Sequence, residues 1–461
     1  MNSEAIERRF TFLIYVLGCV VGARGITLTS LSLPTDDQDL FDGELVVRVL
    51  QLMTYIQQKT AGEIQNNNNK SSINTAITTT TTDKIASTPY SERLELAVLF
   101  FFEQFRRQYI GDHGRSNKIY QVLFKHLGIA DEEQLLSIFI KKLFTNLQYS
   151  TITDKLIERT VGCFSDLSQG YQSVRRLVKL DPIQYFLNNH SQDLFPFLHH
   201  TSAKFSNHSN MTTSSWSRLR TTFYAAIGRM LMHEFRYDED DDDRVEAFMK
   251  PFTNQCNRLV QIFKDFPNFT SLNAGQFATM GQFNPTLASL DEIQYLVIGI
   301  VRDLRGLCSA FVSKQAYSSL FDWLYPSYLP IFLKALYVFY DRADVYNPLL
   351  KFFHELASNR QERLAFDSTK PSAYLLFRET SNLLLIFQTK TIAHVNTTIP
   401  ETDDTLFYKS KLKPIITCLR IIRACFIGKF SFIIEGFLII LSSRKLCQFR
   451  CISSLFRSLF R

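Results

Sequence analysis

The stretch DEEQLLSIFIKKLFTNLQ, from Asp131 to Gln148, decides the fold. Its apolar residues recur every three or four positions, which is the repeat of a helix buried along one side. Asp131 precedes the pattern, and aspartate is a favoured N-cap because its side chain accepts a hydrogen bond from a free backbone N–H of the first turn. Two adjacent stripes predict a helix that packs on more than one neighbour; they comprise Leu135, Phe139, Leu143 and Leu147, with Leu136, Ile140 and Phe144.

The same spacing extends to both sides of this stretch. One earlier stripe consists of Leu94, Val98, Phe101 and Phe105, and Asn347 followed by Pro348 predicts a later helix start, with Asn359 near its end. No run shows the strict alternation of a β-strand. Helices of about 12 to 20 residues packed two by two predict an all-α fold, an α-solenoid of helical repeats.

Composition and charge exclude several classes of protein. The chain has 461 residues, 46% of them hydrophobic, and a net charge of +7, which excludes a disordered chain. Residues 409–461 alone carry +10, so the remainder carries −3. A mildly acidic bulk does not provide the basic stripe that nucleic acid requires, and we therefore expect no nucleic-acid partner.

An apolar run from Phe10 to Gly22 follows Arg8 and Arg9 and is similar to the core of a signal peptide. The alternative is a helix of the first repeat, since about 13 apolar residues are too few to span a membrane. We favour the helix and expect no membrane partner. Eight cysteines without paired spacing fit a reducing compartment.

The sequence contains no recognisable catalytic, cofactor or metal motif. It lacks a Walker A loop, the G-x-G-x-x-G pattern and the G-x-S-x-G elbow. His354 and Glu355 begin a zinc-protease pattern, but Ser358 occupies the place of its second histidine. Cys447 and Cys451 have no second pair to complete a metal site. We therefore predict that the protein is not an enzyme, with no cofactor and no metal.

Two charged segments are candidate partner-binding sites. The first is the acidic run Asp238, Glu239, Asp240, Asp241, Asp242 and Asp243, which mutual repulsion should keep as an extended, solvated loop. It is either a plain loop or an arm that attracts a basic partner. The second is Arg302 with Arg305, which share a helix face. They would bind a carboxylate on a partner, or pair with a neighbouring helix of the solenoid.

Eight segments, taken together and in order, resemble the exportin-7 branch of the importin-β (karyopherin) superfamily. They are DGELVVRVLQLM from Asp42, FFEQFRRQYIGD from Phe101, DLSQGYQSVRRLVKL from Asp166, TTFYAAIGRMLM from Thr221, IVRDLRGLCSAF from Ile300, FDWLYPSYLPI from Phe321, RLAFDS from Arg363 and LLFRETSN from Leu375.

This resemblance implies a right-handed α-solenoid of HEAT-type repeats over residues 1–428. It implies a nuclear export receptor that binds Ran-GTP, folded protein cargo with a basic surface, and nucleoporin Phe-Gly repeats. Such a receptor shuttles between cytoplasm and nucleus through the nuclear pore complex. The acidic run at Asp238 matches an acidic stretch of the family pattern.

Three departures from the family pattern modify these expectations. Family members are more than twice as long, and the amino-terminal repeats that hold Ran have no counterpart, so the main Ran site is expected to be absent. Residues 66–82 form a low-complexity insert that is expected to be disordered. Residues 429–461 are unrelated to the family, as a gene-model artefact or an amphipathic tail. The alternative function is a HEAT-repeat scaffold for a signalling enzyme, because fold alone does not separate the two.

Overall fold

The computed structural model describes most of the chain between residues 3 and 427. The described ranges are 3–23, 39–56, 92–110, 118–148, 153–191, 194–198, 213–233, 239–266, 287–364, 371–398 and 404–427. Within these ranges the secondary structure is helical and contains no strand. The predicted insert at 66–82 and the predicted tail at 429–461 lie outside them, so the proposed domain boundaries stay predictions.

The chain forms two compact units, the first comprising Met1–Phe186 with Asp193–Phe197 and the second Leu187–Gln192 with Leu198–Arg461. The helices up to this boundary are α1 Ser3–Ala23, α2 39–56, α3 Glu92–Tyr109, α4 Lys118–Leu127, α5 Glu132–Gln148, α6 Asp154–Leu167, α7 Tyr171–Val178 and α8 Asp181–Asn188.

The second unit contains the remaining helices. They are α9 Thr213–Leu231, α10 Glu239–Ile262, α11 Leu290–Ala310, α12 Lys314–Leu324, α13 Leu329–Val338, α14 Ala343–Ala357, α15 Ser372–Ile386, α16 Ala393–Thr398, α17 Asp404–Phe407 and α18 Lys413–Ile427. Two π-helical turns, Phe387–Ile392 and Tyr408–Leu412, lead into α16 and α18.

Helices of the first unit stack as the solenoid prediction requires. Gly18 of α1 faces Phe100 of α3, and Gly22 faces Gln104 one turn later, so these two helices run parallel. Helix α3 continues the layer onto α6, where Glu103 pairs with Arg159. Helix α5 runs the other way beside α3, because Lys142 meets Glu95 while Phe139 meets Phe102. The predicted α-solenoid is confirmed.

The stretch from Asp131 to Gln148 folds as its apolar pattern predicts. The backbone N–H of Gln134 donates to the Asp131 carboxylate over 2.8 Å, so Asp131 caps α5. All seven residues of its two stripes are buried. Burial of a large apolar side chain contributes about 1.5–3 kcal/mol, so packing rather than helix propensity holds α5 in place.

Two sequence expectations need correction or refinement. Helix α14 begins at Ala343, so the predicted start at Asn347 is wrong; the Asn347 side-chain amide instead donates to the Ala343 carbonyl within the helix. The Phe10–Gly22 run lies in α1, where Ile14 and Val21 are buried but Phe12 and Leu13 are exposed. No described helix has the length and hydropathy to cross a membrane.

Candidate functional site: a row of cations on parallel helices

The contact between α9 and α11 depends on two glycines. A Cβ on Gly306 would lie 2.5 Å from the Thr221 carbonyl oxygen, and a Cβ on Gly228 would lie 2.8 Å from Cβ of Ala310. Both distances are too short for a side chain, so glycine allows the two backbones to approach closely. The order of these contacts shows that α9 and α11 run parallel.

A buried ion pair fixes the register of the same two helices. Arg220 donates to both carboxylate oxygens of Asp303, Nε to Oδ1 over 2.7 Å and Nη2 to Oδ2 over 2.5 Å. Arg220 also donates to the Leu198 carbonyl. The two side chains are 3% and 0% exposed. An ion pair between neighbouring helices thus forms at Asp303, and not at Arg302 and Arg305, for which the sequence suggested it.

Arg302 and Arg305, the predicted partner-binding pair, have no such partner. Neither side chain forms a hydrogen bond or ion pair with any described residue. Arg302 is only 6% exposed, and its Nε is buried without a hydrogen-bond partner. Burial and the nearby charges of Arg305 and Arg218 lower the pKa of Arg302 to about 10.

The parallel layer continues beyond α11 and adds more cations. Helix α14 packs on α11, and α18 packs on α14, where the Tyr346 hydroxyl donates to the Ser410 carbonyl just before α18. Burial, then four neighbouring cations, lower the pKa of Lys351 on α14 to about 8. We call Arg218, Arg302, Arg305, Lys351 and Lys413 the basic row; its members lie on α9, α11, α14 and α18.

Carboxylates near the basic row already have other partners. Asp344 pairs with Lys409 over 3.0 Å, and Asp303 is held by Arg220. Glu355 pairs with Arg360 over 2.9 Å and with the buried Arg363 over 3.4 Å. The carboxylates beside Arg302 and Arg305 are therefore engaged by other cations.

The acidic candidate segment adopts a different structure from the one expected. Asp238 lies outside the described residues, and the backbone from Glu239 to Asp243 forms the beginning of α10, so the prediction of an extended loop is wrong for these five. The partial positive charge at a helix N-terminus stabilises carboxylates and offsets their repulsion. Whether this segment binds a partner stays a prediction.

The titratable groups of the described residues offer no assembled catalytic or metal site. No group of three or more His, Cys, Asp or Glu side chains among them is placed to hold a metal ion. Burial raises the pKa of the Cys308 thiol to about 12, which keeps it protonated. Cys447 and Cys451 lie outside the described residues.

Three members of the basic row were not predicted from the sequence. Lys351 and Lys413 are single cations on helices that are far apart in sequence, and Arg218 follows a serine- and threonine-rich stretch. Only the stacking of four helices brings them together. The signal that could have found these cations is contact between helices that are not consecutive in the chain. A single sequence does not show such contacts.

Comparison with known proteins relates this chain to one family. Residues 1–206 match the family described as "Exportin-7-like, TPR domain". The chain is 37% identical to Exportin-7-B of Xenopus laevis over 431 residues, which are 93% of the chain and 34% of that protein. It is 34% identical to Ran-binding protein 17 of Mus musculus over 425 residues, 92% of the chain and 33% of that relative. The chain thus spans about a third of the length of the curated relatives it matches.

Proposed function

The chain belongs to the exportin-7 family, and we propose on this premise that it acts as a nuclear export receptor for folded protein cargo. The observation that carries the proposal is 37% identity over 93% of the chain. The names of relatives called Ran-binding protein support Ran as one partner, and its GTP form is part of our proposal. Nucleoporin Phe-Gly repeats are a further proposed partner, and shuttling through the nuclear pore complex is the proposed localisation.

The architecture suits a binding protein that works without chemistry. Parallel helices display side chains from many repeats along one surface, as extended binding surfaces in solenoids do. In the proposed mechanism cargo and Ran-GTP each favour the same arrangement of the repeats, so that each raises the affinity of the other. No bond is made or broken on this chain.

The two predicted partner-binding segments would bind partner surfaces of opposite charge. The acidic run Asp238–Asp243 would attract cargo with a basic surface by long-range electrostatic steering. Arg302 and Arg305 would contact carboxylates on a partner. Support for the second part comes from Arg302, whose buried Nε has no hydrogen-bond partner and whose neighbouring charges include Arg305 and Arg218.

A pull-down with the full chain tests the transport role. The chain is immobilised and incubated with nuclear extract, once with Ran locked on GTP and once with Ran on GDP. We expect retention of basic folded proteins and nucleoporins, and only weak retention of Ran-GTP, because the main Ran site is expected to be absent from this chain. Capture of a kinase or phosphatase subunit without basic cargo or nucleoporins would support the scaffold alternative and overturn transport.

A further inference from the structure

Helix α1 exposes a long apolar side to solvent. Its opposite side packs on α3, where Gly18 faces Phe100 and where Ile14 is buried. Val16 lies about 200° around the helix from both Ile14 and Gly18, so it points away from α3, and it is 40% exposed. The large apolar residues of α1 that are exposed in this way are Phe10, Phe12, Leu13, Tyr15, Val16 and Val20.

We propose that this side of α1 pairs in antiparallel order with α1 of a second copy of the chain, which gives a homodimer. We call the pairing line the α1 seam; it consists of Arg9, Phe12, Val16, Cys19 and Ala23. The inference goes beyond the proposed transport role and does not depend on it, because it rests on one helix of the first unit.

The α1 seam has the spacing of a coiled coil. Its residues follow one another at intervals of three and four in alternation, which keeps them on one line facing a partner helix. All five seam residues are exposed. Leu13 and Val20, each next to a seam residue, are exposed as well and widen the apolar line. A helix that already buries one side against α3 thus offers a second side with the pattern of a helix contact.

The distribution of charge on α1 permits pairing with itself. The helix contains no charged side chain from Phe10 to Ala23. Its charged residues lie before this run, where Glu4 and Glu7 balance Arg8 and Arg9. Two copies of the run therefore meet without burying a carboxylate or an ammonium group between them.

Arg9 decides the orientation of the pair. A parallel pair would bring Arg9 of both copies together in the seam, and like charges repel. An antiparallel pair with Phe12 opposite Val16 of the other copy instead places Arg9 opposite Cys19. There Arg9 approaches the carboxyl end of the other helix, which has a partial negative charge and no basic residue in its last turn.

The exposed area of α1 sets the strength of the pair. Its exposed large apolar residues present roughly 500 Å² per copy, since a large side chain has about 150–250 Å² to bury. A pair therefore buries at most about 1,000 Å², which is the lower end for a specific interface. We expect a dimer that dissociates on dilution, with a dissociation constant in the micromolar range.

A membrane surface is a poorer match for the same helix. Helices that lie on membranes carry lysine and arginine that attract anionic lipids. The charges at the beginning of α1 sum to zero, and the chain outside residues 409–461 carries −3. Electrostatic attraction to an anionic surface is therefore lacking in this part of the chain.

Sedimentation velocity of the full chain tests the pairing. We expect conversion from monomer to dimer between about 1 and 200 μM. Phe12→Glu puts an unpaired carboxylate into the seam and should raise the dissociation constant roughly tenfold or more. Phe124→Glu on α4 is the matched control, because Phe124 is 61% exposed and Phe12 67% exposed. It should leave the dissociation constant within about twofold, as expected for a surface change elsewhere.

Disulfide capture tests the orientation. Cys19 is exposed, whereas the other described cysteines are buried or half-buried. In the variant Arg9→Cys, the antiparallel pair places the new thiol beside Cys19 of the other copy. Diamide, which accepts the two hydrogens, should then join the chains between position 9 and Cys19, as identified by mass spectrometry of the linked peptides. Adding Cys19→Ser to this variant should remove the link.

Four results would overturn the proposal. The first is a chain that stays monomeric up to about 200 μM. The second is a dimer that Phe12→Glu leaves unchanged, although its thermal melt shows a folded chain. The third is a link from Cys19 to Cys19 as the main product, which indicates a parallel pair. The fourth is a monomer that floats with phosphatidylcholine vesicles, because lipid would then be the occupant of the seam.

Discussion

Arg220 and Asp303 lock α9 to α11 through a two-pronged ion pair that has almost no contact with solvent. The pair lies one residue from Arg302, so the same register that satisfies Asp303 places Arg302 in the basic row. Structural pairing and proposed recognition therefore depend on one helix contact.

Breaking this pair on one side should strongly destabilise the second unit. Arg220→Met leaves the Asp303 carboxylate buried without its partner, and such changes cost about 3–5 kcal/mol. Thermal unfolding of the full chain measures the effect. The control is Glu4→Gln, which breaks the exposed Arg8–Glu4 pair and should cost less than about 1 kcal/mol. Similar losses for both variants would contradict the importance of burial.

The first unit contains a buried pair that packing could replace. Lys142 donates to Glu95 over 2.6 Å, and Asn146 donates to the other carboxylate oxygen over 3.4 Å. Lys142→Met alone should cost about 3–5 kcal/mol. The triple variant Glu95→Met, Lys142→Met, Asn146→Leu should recover most of that loss, because apolar residues of similar volume need no partner. A triple variant less stable than the single one in urea unfolding would refute this expectation.

A methyl group at the α9–α11 contact should separate the two helices. Gly306→Ala places a Cβ 2.5 Å from the Thr221 carbonyl oxygen, and overpacking of this kind costs about 1–3 kcal/mol. Gly162→Ala on α6 is the control, because no atom lies within 4 Å of the added Cβ. There we expect a gain of about 0.5–1 kcal/mol in thermal unfolding.

Lys351 should make stability rise with pH in the weakly alkaline range. Burial and the neighbouring cations lower its pKa in the folded chain from 10.5 to about 8. The unfolded chain therefore binds more protons between pH 8 and 10.5, so the free energy of unfolding increases across this window. Below pH 8 both states are protonated and the penalty is complete.

Unfolding of the unsubstituted chain and of Lys351→Met at several pH values isolates this contribution. The difference in free energy between the two should change between pH 8 and 10 in favour of the unsubstituted chain. A difference that stays constant across the window would show that Lys351 does not titrate there.

Sequence reasoning succeeded where the cause is local. The apolar period and Asp131 together predicted α5 and its cap, because both signals lie within one turn of the residues they control. It failed at Asn347. Asparagine before proline is typical of a helix start, but here both residues lie inside α14. The Asn347 amide donates to carbonyls of Ala343 and Lys409, and the second of these is a tertiary contact that no local pattern contains.

The candidate site shows the same division. Arg302 and Arg305 were predicted because they lie one turn apart on a single helix. Lys351 and Lys413 were not, since their approach to Arg302 depends on α14 and α18 stacking in order. The charge of −3 outside residues 409–461 pointed away from a basic surface, because a total over hundreds of residues averages out a local excess.

Each cation of the basic row comes from a different turn of the layer, mostly from a different helix. Their repulsion acts within α11, between Arg302 and Arg305, and also between helices, where it opposes the packing that α9, α11, α14 and α18 share. Neutralising these cations would relieve the repulsion and strengthen the packing of the four helices. Binding of an anion at these cations and the rigidity of the four-helix packing therefore depend on the same charge repulsion.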